Sequence, residues 1–127
     1  MTIFPRASTN QLAFGDTIFF DIEFSELDNV EFIRLPILYD PLLLAYLPNL
    51  CIETFVLSGF TCNNNVIPTQ QGQIRIFWSH PNNQSSDIFD NDPIVTLAFE
   101  VVGVGANLTP ITIPNSIDGF ETFIANS

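Results

Sequence analysis

The sequence contains no lysine, and its basic side chains are three arginines and one histidine. Against these stand 14 acidic side chains, which give a formal net charge of -11 over 127 residues. A surface this negative repels the phosphate backbone of nucleic acids and the headgroups of anionic lipids. We therefore expect neither nucleic-acid binding nor attachment to an anionic membrane.

Long apolar runs are also missing. No stretch approaches the roughly 20 apolar residues that a helix needs to cross a bilayer. The start, MTIFPRAST, has neither the basic region nor the long apolar region of a secretory signal. We expect no insertion into a membrane.

The side chains that catalysis needs are scarce. His80 is the only histidine, and no serine lies in a G-x-S-x-G or comparable nucleophile motif, so a Ser-His-Asp triad has no local support. Carboxylate pairs for glycoside hydrolysis exist in any chain with 14 acids, but nothing singles out two of them. The sequence therefore predicts a protein that is not an enzyme.

Two cysteines, Cys51 and Cys62, lie at the ends of CIETFVLSGFTC, away from any CxxC motif or histidine cluster that would indicate zinc. Two interpretations stay open: a pair of buried thiols, or a disulfide, which is favoured if the protein is exported. Two glycosylation sequons, NQS at Asn83 and NLT at Asn107, favour an extracellular or cell-surface location.

Three carboxylates lie close together in DIFDNDP, at Asp87, Asp90 and Asp92. Hard oxygen ligands of this kind suit calcium, but the spacing and glycine of an EF-hand loop are absent. A solvated acidic loop is the simpler interpretation. We expect no cofactor, with calcium as the alternative.

What the sequence has in abundance is β-forming residues. There are 13 phenylalanines, and 46% of the residues are hydrophobic, enough for the core of one domain over residues 1–127. Short runs rich in Ile, Val, Phe and Thr alternate between two faces and are separated by Gly, Pro, Asn and Asp, which is typical of strands. The predicted strands are 16–24, 30–39, 73–79, 93–103, 109–114 and 119–125, with short edge pieces at 1–5 and 11–15.

Eight or nine short strands separated by turn signals indicate an all-β fold, a two-sheet sandwich. We expect loops at 61–72 and 80–92, and no helix. The Tyr39-Asp40-Pro41 sequence predicts a corner, because the residue before a proline is disfavoured in helices.

The order of the motifs resembles that of a cohesin domain over nearly the whole chain. The motifs are AFGDTIFFDIEF, LPILYDPLLLAYL, QGQIRIFWSH, DPIVTLAFEVVG and TPITI. The resemblance implies a jelly-roll sandwich of about nine strands that binds dockerin modules through one sheet face. At the positions of polar dockerin contacts in cohesins, this chain has Phe32 and Arg34; an apolar contact position matches at Phe77, and His80 replaces an acidic one.

The alternation itself predicts an outer face with the composition of a binding surface. If Tyr39 and Trp78 point inward, the other parity of the same strands shares one face. Arginine and phenylalanine are enriched at protein interfaces. The alternative is that the NNNVIPTQQG loop covers part of this face as a small apolar cluster. The residues predicted to bind a partner are Phe32, Arg34, Pro36, Leu38, Arg75, Phe77 and His80.

The leading functional hypothesis is a protein-binding module whose partner is dockerin-like or a second copy. Two alternatives remain. One is a jelly-roll module that binds polysaccharide, which would need exposed coplanar aromatic rings. The other is a structural subunit whose terminal segments, MTIFP and GFETFIA, pair with the edge strands of neighbouring copies.

Overall fold

The computed structural model describes residues 3–7, 13–24, 27–70, 72–81, 85–89, 92–103, 111–117 and 120–126. Within these ranges the chain forms a two-sheet β-sandwich of the predicted class. The first sheet contains β1 (Ile3–Ala7), β2 (Thr17–Phe24), β9 (Pro93–Val101) and β4 (Leu44–Tyr46) in that order, and β5 (Ile52–Glu53) also pairs with β9.

The second sheet is built around one long strand, β3 (Leu27–Tyr39). Its order is β10 (Ile111–Thr112), β3, β7 (Gln73–Ser79) and β6 (Val66–Gln70), and both β8 (Ser86–Ile88) and β13 (Phe123–Asn126) also pair with β3. The strands β11 (Ser116–Ile117) and β12 (Phe120–Glu121) form a separate antiparallel pair. No helix in the described ranges is long and apolar enough to cross a membrane.

The core lies between the two sheets and consists of the inward residues of alternating strands. In β2 the predicted inward residues are all at most 4% exposed, and those of β3 and β7 are at most 1% exposed, except Tyr39, which is half-buried against the core. Burial of apolar side chains from both sheets is the main force that holds a sandwich together. The alternation therefore predicted the core correctly, at Ile18, Phe20, Ile22, Phe24, Ile33, Leu35, Ile37, Ile74, Ile76 and Trp78.

The Tyr39-Asp40-Pro41 corner ends β3 through hydrogen bonds centred on Asp40. The amides of Leu43 and Leu44 donate to its carbonyl oxygen over 3.0 and 2.9 Å, and the amide of Leu42 donates to its Oδ1 over 2.9 Å. An aspartate side chain that accepts from the backbone two residues on is a common way to stabilise a turn. The corner reverses the chain from β3 in one sheet to β4 in the other.

Both predicted loops contain regular structure. Residues 61–72 include α1 (Cys62–Asn65) and the edge strand β6, and residues 80–92 include β8. The helix begins because the side chain of Thr61 accepts a hydrogen bond from the amide of Asn64, a typical N-cap. Pro68 is tolerated in β6 because an edge strand need not donate on its outer side.

Two other predicted segments also differ from the structure. The described part of 11–15 is a turn and not a strand, with the Asp16 amide donating to the Ala13 carbonyl over 3.0 Å. The segment 119–125 contributes to two strands, β12 and β13. Both sequon asparagines, Asn83 and Asn107, lie outside the described residues.

Cys51 and Cys62 form a disulfide, which decides between the two interpretations of the pair. The loop that it closes contributes Leu57 and Phe60 to the core, at 1% and 4% exposed. The indole Nε1 of Trp78 donates to the Ser58 carbonyl over 2.7 Å, so the loop also satisfies the buried tryptophan. The bridge thus holds a segment that seals one side of the core.

We expect a Cys51→Ser, Cys62→Ser double variant to lose about 2–4 kcal/mol of unfolding free energy, because the bridge restricts the unfolded chain. Urea denaturation followed by tryptophan fluorescence would measure the loss. As a control, dithiothreitol should lower the midpoint of the natural chain and leave that of the double variant unchanged. Equal midpoints for the two proteins without reductant would contradict the prediction.

Candidate functional site

The outward residues of β3 and β7 form one face, as the alternation predicted. The two strands are antiparallel neighbours, and their register places Arg34 opposite Phe77 and Pro36 opposite Arg75. Side chains directly opposite each other on neighbouring strands lie on the same side of the sheet. The structure therefore brings together six of the seven predicted residues: Phe32, Arg34, Pro36, Leu38, Arg75 and Phe77.

The C-terminal part of the chain completes this face. β10 pairs with the end of β3, at Leu38 and Tyr39, and β13 pairs with its middle, where Phe123 lies opposite Arg34. Between these two pairings runs the β11–β12 hairpin. Because β10 and β13 share one edge of β3, the hairpin leaves the sheet between them.

The hairpin is fixed to the face by both arginines. The Cζ atom of Arg75 lies 4.7 Å from the ring centroid of Phe120, and that of Arg34 lies 5.7 Å from the same centroid. Contacts of this kind between a guanidinium and an aromatic ring are attractive. The Nε of Arg34 also donates to the carbonyl oxygen of Glu121 over 3.0 Å. Phe120 thus connects residues that are more than 40 positions away in the sequence.

Arg75 also has a hydrogen-bond partner on its own strand. Its Nε donates to the Oε1 of Gln73 over 2.9 Å, and the same oxygen accepts from the Oγ1 of Thr69 over 3.1 Å. Gln73 is only 3% exposed, so its amide provides a buried support for the guanidinium. Arg75 therefore belongs to the covered part of the face, between Gln73 and Phe120.

The hairpin divides the face into a covered part and an open part. Pro36 is buried, and both arginines are half-buried. Phe77 and Phe123, in contrast, are 41% and 49% exposed, and the ring of Phe123 contacts that of the half-buried Phe32 at 6.0 Å. We call Phe32, Phe77 and Phe123 the open aromatic patch. Arg34 lies beside it, since its Cζ is 5.7 Å from the centroid of Phe123.

The exposed ring of Phe77 lies on a well-supported strand. The side-chain amide of Asn65, at the end of α1, donates to the Phe77 carbonyl over 2.8 Å, and its Oδ1 accepts from the Thr61 amide over 2.9 Å. The amide of Cys62 donates to the carboxylate of Glu53 over 2.8 Å. The disulfide, α1 and β7 are thus connected through the hydrogen bonds of Asn65 and Cys62.

His80 does not belong to the outer face. It follows β7 with the inward parity of Ile76 and Trp78, is 8% exposed, and its ring contacts that of Trp78 at 5.7 Å. Its amide donates to the Glu31 carbonyl over 3.0 Å, which continues the β3–β7 pairing beyond Ser79. His80 therefore lies apart from the other six residues, on the inward side of β7, and its contact with a partner stays a prediction.

The alternative interpretation, in which the NNNVIPTQQG segment covers part of this face, differs from the structure. Half of this segment, Val66–Gln70, forms β6, which lies beside β7 in the same sheet. Phe120 contacts both arginines instead, and Phe123 belongs to the open aromatic patch; neither residue was predicted to belong to the site. The apolar segment GFETFIA did indicate a pairing strand. The alternative that it pairs with a neighbouring copy overlooked β3 of the same chain as its partner.

The predicted calcium ligands do not form a cluster that the structure describes. Asp87 accepts a hydrogen bond from the amide of Asn29 over 2.9 Å, and Asp90 lies outside the described residues. In the part of the chain that the structure describes, no group of three or more His, Cys, Asp or Glu side chains could hold a metal ion. A calcium site at these residues stays the alternative to a solvated acidic loop.

We expect a Phe120→Ala variant to lose about 1–2 kcal/mol of unfolding free energy, because both guanidinium contacts with the ring are removed. Chemical denaturation would measure the change. The control is Phe89→Ala, since Phe89 is an exposed phenylalanine, at 56%, and makes no contact with either arginine that the structure describes, whereas Phe120 is half-buried. Equal stability of the two variants would contradict the role given to Phe120.

No family model and no curated protein matches the sequence. Solved structures do match in fold. The solution structure of CaCohA2 from Clostridium acetobutylicum has a TM-score of 0.64 and 20% identity, over 98% of this chain and 79% of that chain. A complex of CaCohA2 with CaDoc0917 has a TM-score of 0.65 and 19% identity, over 89% of this chain and 79% of that chain.

Two further matches come from Acetivibrio cellulolyticus. A type II cohesin-X-dockerin complex has a TM-score of 0.61 and 14% identity, over 98% of this chain and 86% of that chain. A type II cohesin domain from the cellulosome of the same organism has a TM-score of 0.57 and 13% identity, over 93% of this chain and 80% of that chain. The TM-scores establish a shared architecture. Sequence identities this low do not transfer the binding residues of those proteins to this chain. The chain has the cohesin fold.

Proposed function

We propose that this chain is a non-catalytic protein-binding module that engages a dockerin-like partner through the open aromatic patch. The observation that carries the proposal is the exposure of Phe77 and Phe123 on a rigid sheet face beside Arg34. Large exposed apolar side chains grouped on one face are costly unless a partner covers them. Aromatic and arginine side chains are also those that dominate binding energy at interfaces.

The structural neighbours support the class of partner. Two of them were solved as complexes, one named as CaDoc0917 with CaCohA2 and one as a cohesin with an X-dockerin. A shared fold does not by itself transfer a partner, because one fold serves many functions. The likeness makes dockerin modules the first ligands to try, and the patch tells us where on this chain to look.

The chemistry of the face differs from a site dominated by polar contacts. Apolar rings would bury area at the centre, while Arg34 would offer donors at the border. The guanidinium has five N–H groups, and the carbonyl of Glu121 uses one of them. We therefore expect the partner to present an apolar side chain at its centre and a carbonyl or carboxylate oxygen towards Arg34.

The two alternative functions find less support on this face. A carbohydrate-binding surface would need exposed coplanar rings, but the single tryptophan, Trp78, is 1% exposed. A structural subunit would donate its C-terminal strand to a neighbour, but β13 pairs with the chain's own β3. The Cys51–Cys62 disulfide supports an extracellular or cell-surface setting, since such bridges persist in oxidising compartments.

The test is binding to a panel of purified dockerin modules and to the secreted fraction of the source organism, with the domain immobilised. We expect Phe77→Ala to weaken the binding of any captured partner by about 10-fold or more, as for a central aromatic anchor. Arg34→Ala should weaken it by a smaller factor, because its contact lies at the border of the patch.

Phe55→Ala is the matched control. Phe55 is 83% exposed, lies in the loop that the disulfide closes, and belongs to neither β3, β7 nor β13. Thermal unfolding of each variant would verify that it is folded. Full binding by both Phe77→Ala and Arg34→Ala, or loss of binding by Phe55→Ala, would show that the face is wrongly assigned.

A further inference from the structure

The helical turn α1 has no core of its own. It is four residues long, Cys62–Asn65, and none of its residues is buried. A single helical turn is not stable by itself in water, because its few hydrogen bonds do not offset the cost of starting a helix. α1 therefore depends on the contacts that attach it to the rest of the chain.

Two contacts attach the beginning of α1 to β5, a strand of the first sheet. The disulfide joins Cys62 to Cys51, the residue directly before β5. The Cys62 amide also donates to the carboxylate of Glu53, within β5, over 2.8 Å. Amides at the start of a helix have no partner within the helix, so this carboxylate satisfies one of them. One covalent bond and one charge-assisted hydrogen bond thus fix the start of α1.

The end of α1 contacts β7, a strand of the second sheet, through Asn65. Its side-chain amide donates to the Phe77 carbonyl over 2.8 Å, and its Oδ1 accepts from the Thr61 amide over 2.9 Å. The pairing of β6 with β7 begins at Val66, opposite Ile76, so position 65 would be the partner of Phe77. Because the backbone of Asn65 belongs to the helix, its side chain makes this link instead.

The loop that the disulfide closes also contacts the next residue of β7. The indole Nε1 of Trp78 donates over 2.7 Å to the carbonyl of Ser58, which lies within this loop. Two successive residues, Phe77 and Trp78, are therefore held by one segment. The conformation of a side chain depends on the backbone that carries it. Loosening the segment therefore changes how the exposed ring of Phe77 is presented.

The disulfide decides how firmly α1 is attached. With the bridge closed, the two ends of the loop stay together. With the bridge open, the loop gains conformational freedom, and bringing its ends together again costs entropy. The hydrogen bond between Cys62 and Glu53 then holds the start of α1 without covalent help. Coupling between two sites requires an element with two arrangements, and α1, attached or released, is such an element.

We propose that the Cys51–Cys62 bridge is a redox-sensitive support for Phe77 that acts through Asn65, so that opening the bridge weakens partner binding at the open aromatic patch. This inference rests on the proposed function. Asn65 is a positioning residue in it, because it acts on the partner only through Phe77.

The opening step is thiol–disulfide exchange with a dithiol reductant. One thiolate of the dithiol attacks a sulfur of the bridge, and the S–S bond breaks. The second thiol of the reductant then closes a disulfide within the reductant, which is oxidised. Cys51 and Cys62 together gain two electrons and two protons and become thiols. Both cysteines are half-buried rather than enclosed in the core.

The bridge and the partner affect each other in both directions. A partner that binds the closed form more tightly makes the bridge harder to reduce by the same factor. The loss of one positioning hydrogen bond corresponds to about 3- to 10-fold in affinity. The bridge therefore adjusts the affinity of the patch and does not switch binding on or off.

The rival account is that the core holds the loop without the bridge. Leu57 and Phe60, both within the loop, are buried, and their burial favours the closed arrangement in either state of the cysteines. Reduction would then lower the stability of the whole domain and leave Phe77 in place. An experiment that observes Phe77 directly separates the two accounts.

The test is fluorine NMR of the chain with para-fluorophenylalanine at position 77, before and after addition of dithiothreitol. A second protein carries the label at position 20, because Phe20 lies in the core against Phe99. We expect the resonance at position 77 to shift on reduction, while the label at position 20 keeps the resonance of a buried ring. The Cys51→Ser, Cys62→Ser double variant should give the reduced signal at position 77 without reductant.

Two asparagine variants locate the coupling. Asn65→Ala removes the donor, so it should shift the resonance at position 77 as reduction does, and dithiothreitol should then add little. Effects that act through one contact do not add. Asn64→Ala is the matched control, since Asn64 donates to the Thr61 side chain with its backbone amide, which the variant keeps. This control should retain both the natural signal and its response to dithiothreitol.

Binding to the dockerin module CaDoc0917, and to any other dockerin that the panel identifies, gives a second measurement. Reduction and Asn65→Ala should each weaken binding by about 3- to 10-fold, and Asn64→Ala should leave it unchanged.

Three outcomes would overturn the proposal. The first is an unchanged resonance at position 77 on reduction. The second is a simultaneous move of the label at position 20 to the resonance of an unfolded chain, which would mean that the bridge acts on the whole fold. The third is an equal effect of Asn65→Ala and Asn64→Ala at position 77. Failure of every dockerin to bind would count against the proposed function alone, because the fluorine measurement needs no partner.

Discussion

The antiparallel pairing of β3 with β7 is the constraint on which the rest of the structure depends. Its register places Ile33 opposite Trp78 and Leu35 opposite Ile76, and all four side chains are at most 1% exposed. Since strand side chains alternate, burying this set forces Arg34 and Phe77 onto the other side. A shift of one residue would exchange the core for the outer face. Stability and the candidate binding surface are therefore specified by the same register.

The same strand also organises the C-terminal part of the chain. β3 is long enough to pair with β10 near one end and with β13 further along, and the hairpin between them lies over the face. Without this hairpin, both half-buried arginines would lose their contacts with Phe120. With it, the cationic part of the face is engaged by Phe120, and the apolar part remains open. The open aromatic patch thus combines residues from three strands.

How far the sequence predicts this arrangement depends on the range of the interactions. The core and the outer face follow from a period of two within β3 and β7, which is a local property that the sequence displays directly. The contact between Arg75 and Phe120 is not local, since it requires the hairpin to leave the sheet at the right place. No propensity of either residue indicates it.

Two differences between the predicted and the observed structure have local causes. The parity that buries Trp78 continues to His80, although the predicted strand ended at Ser79. A loop was predicted at 61–72 because a run of asparagines and a proline, Pro68, are typical of loops. The structure has a helical turn and an edge strand there. Edge strands and single helical turns depend on their neighbours more than on their own composition. The disulfide needed the fold too, because nothing in the spacing of Cys51 and Cys62 excluded buried thiols.

The function proposed for this chain requires that the outer face of the β3–β7 pair contacts a protein partner. The most direct measurement is photo-cross-linking with benzoyl-phenylalanine incorporated at position 77, and at position 55 as a reference, in the presence of the secreted fraction. The account predicts one dominant protein adduct at position 77 that is absent at position 55, with mass spectrometry giving the partner's identity. The same adducts at both positions, or an adduct at position 55 alone, would contradict it.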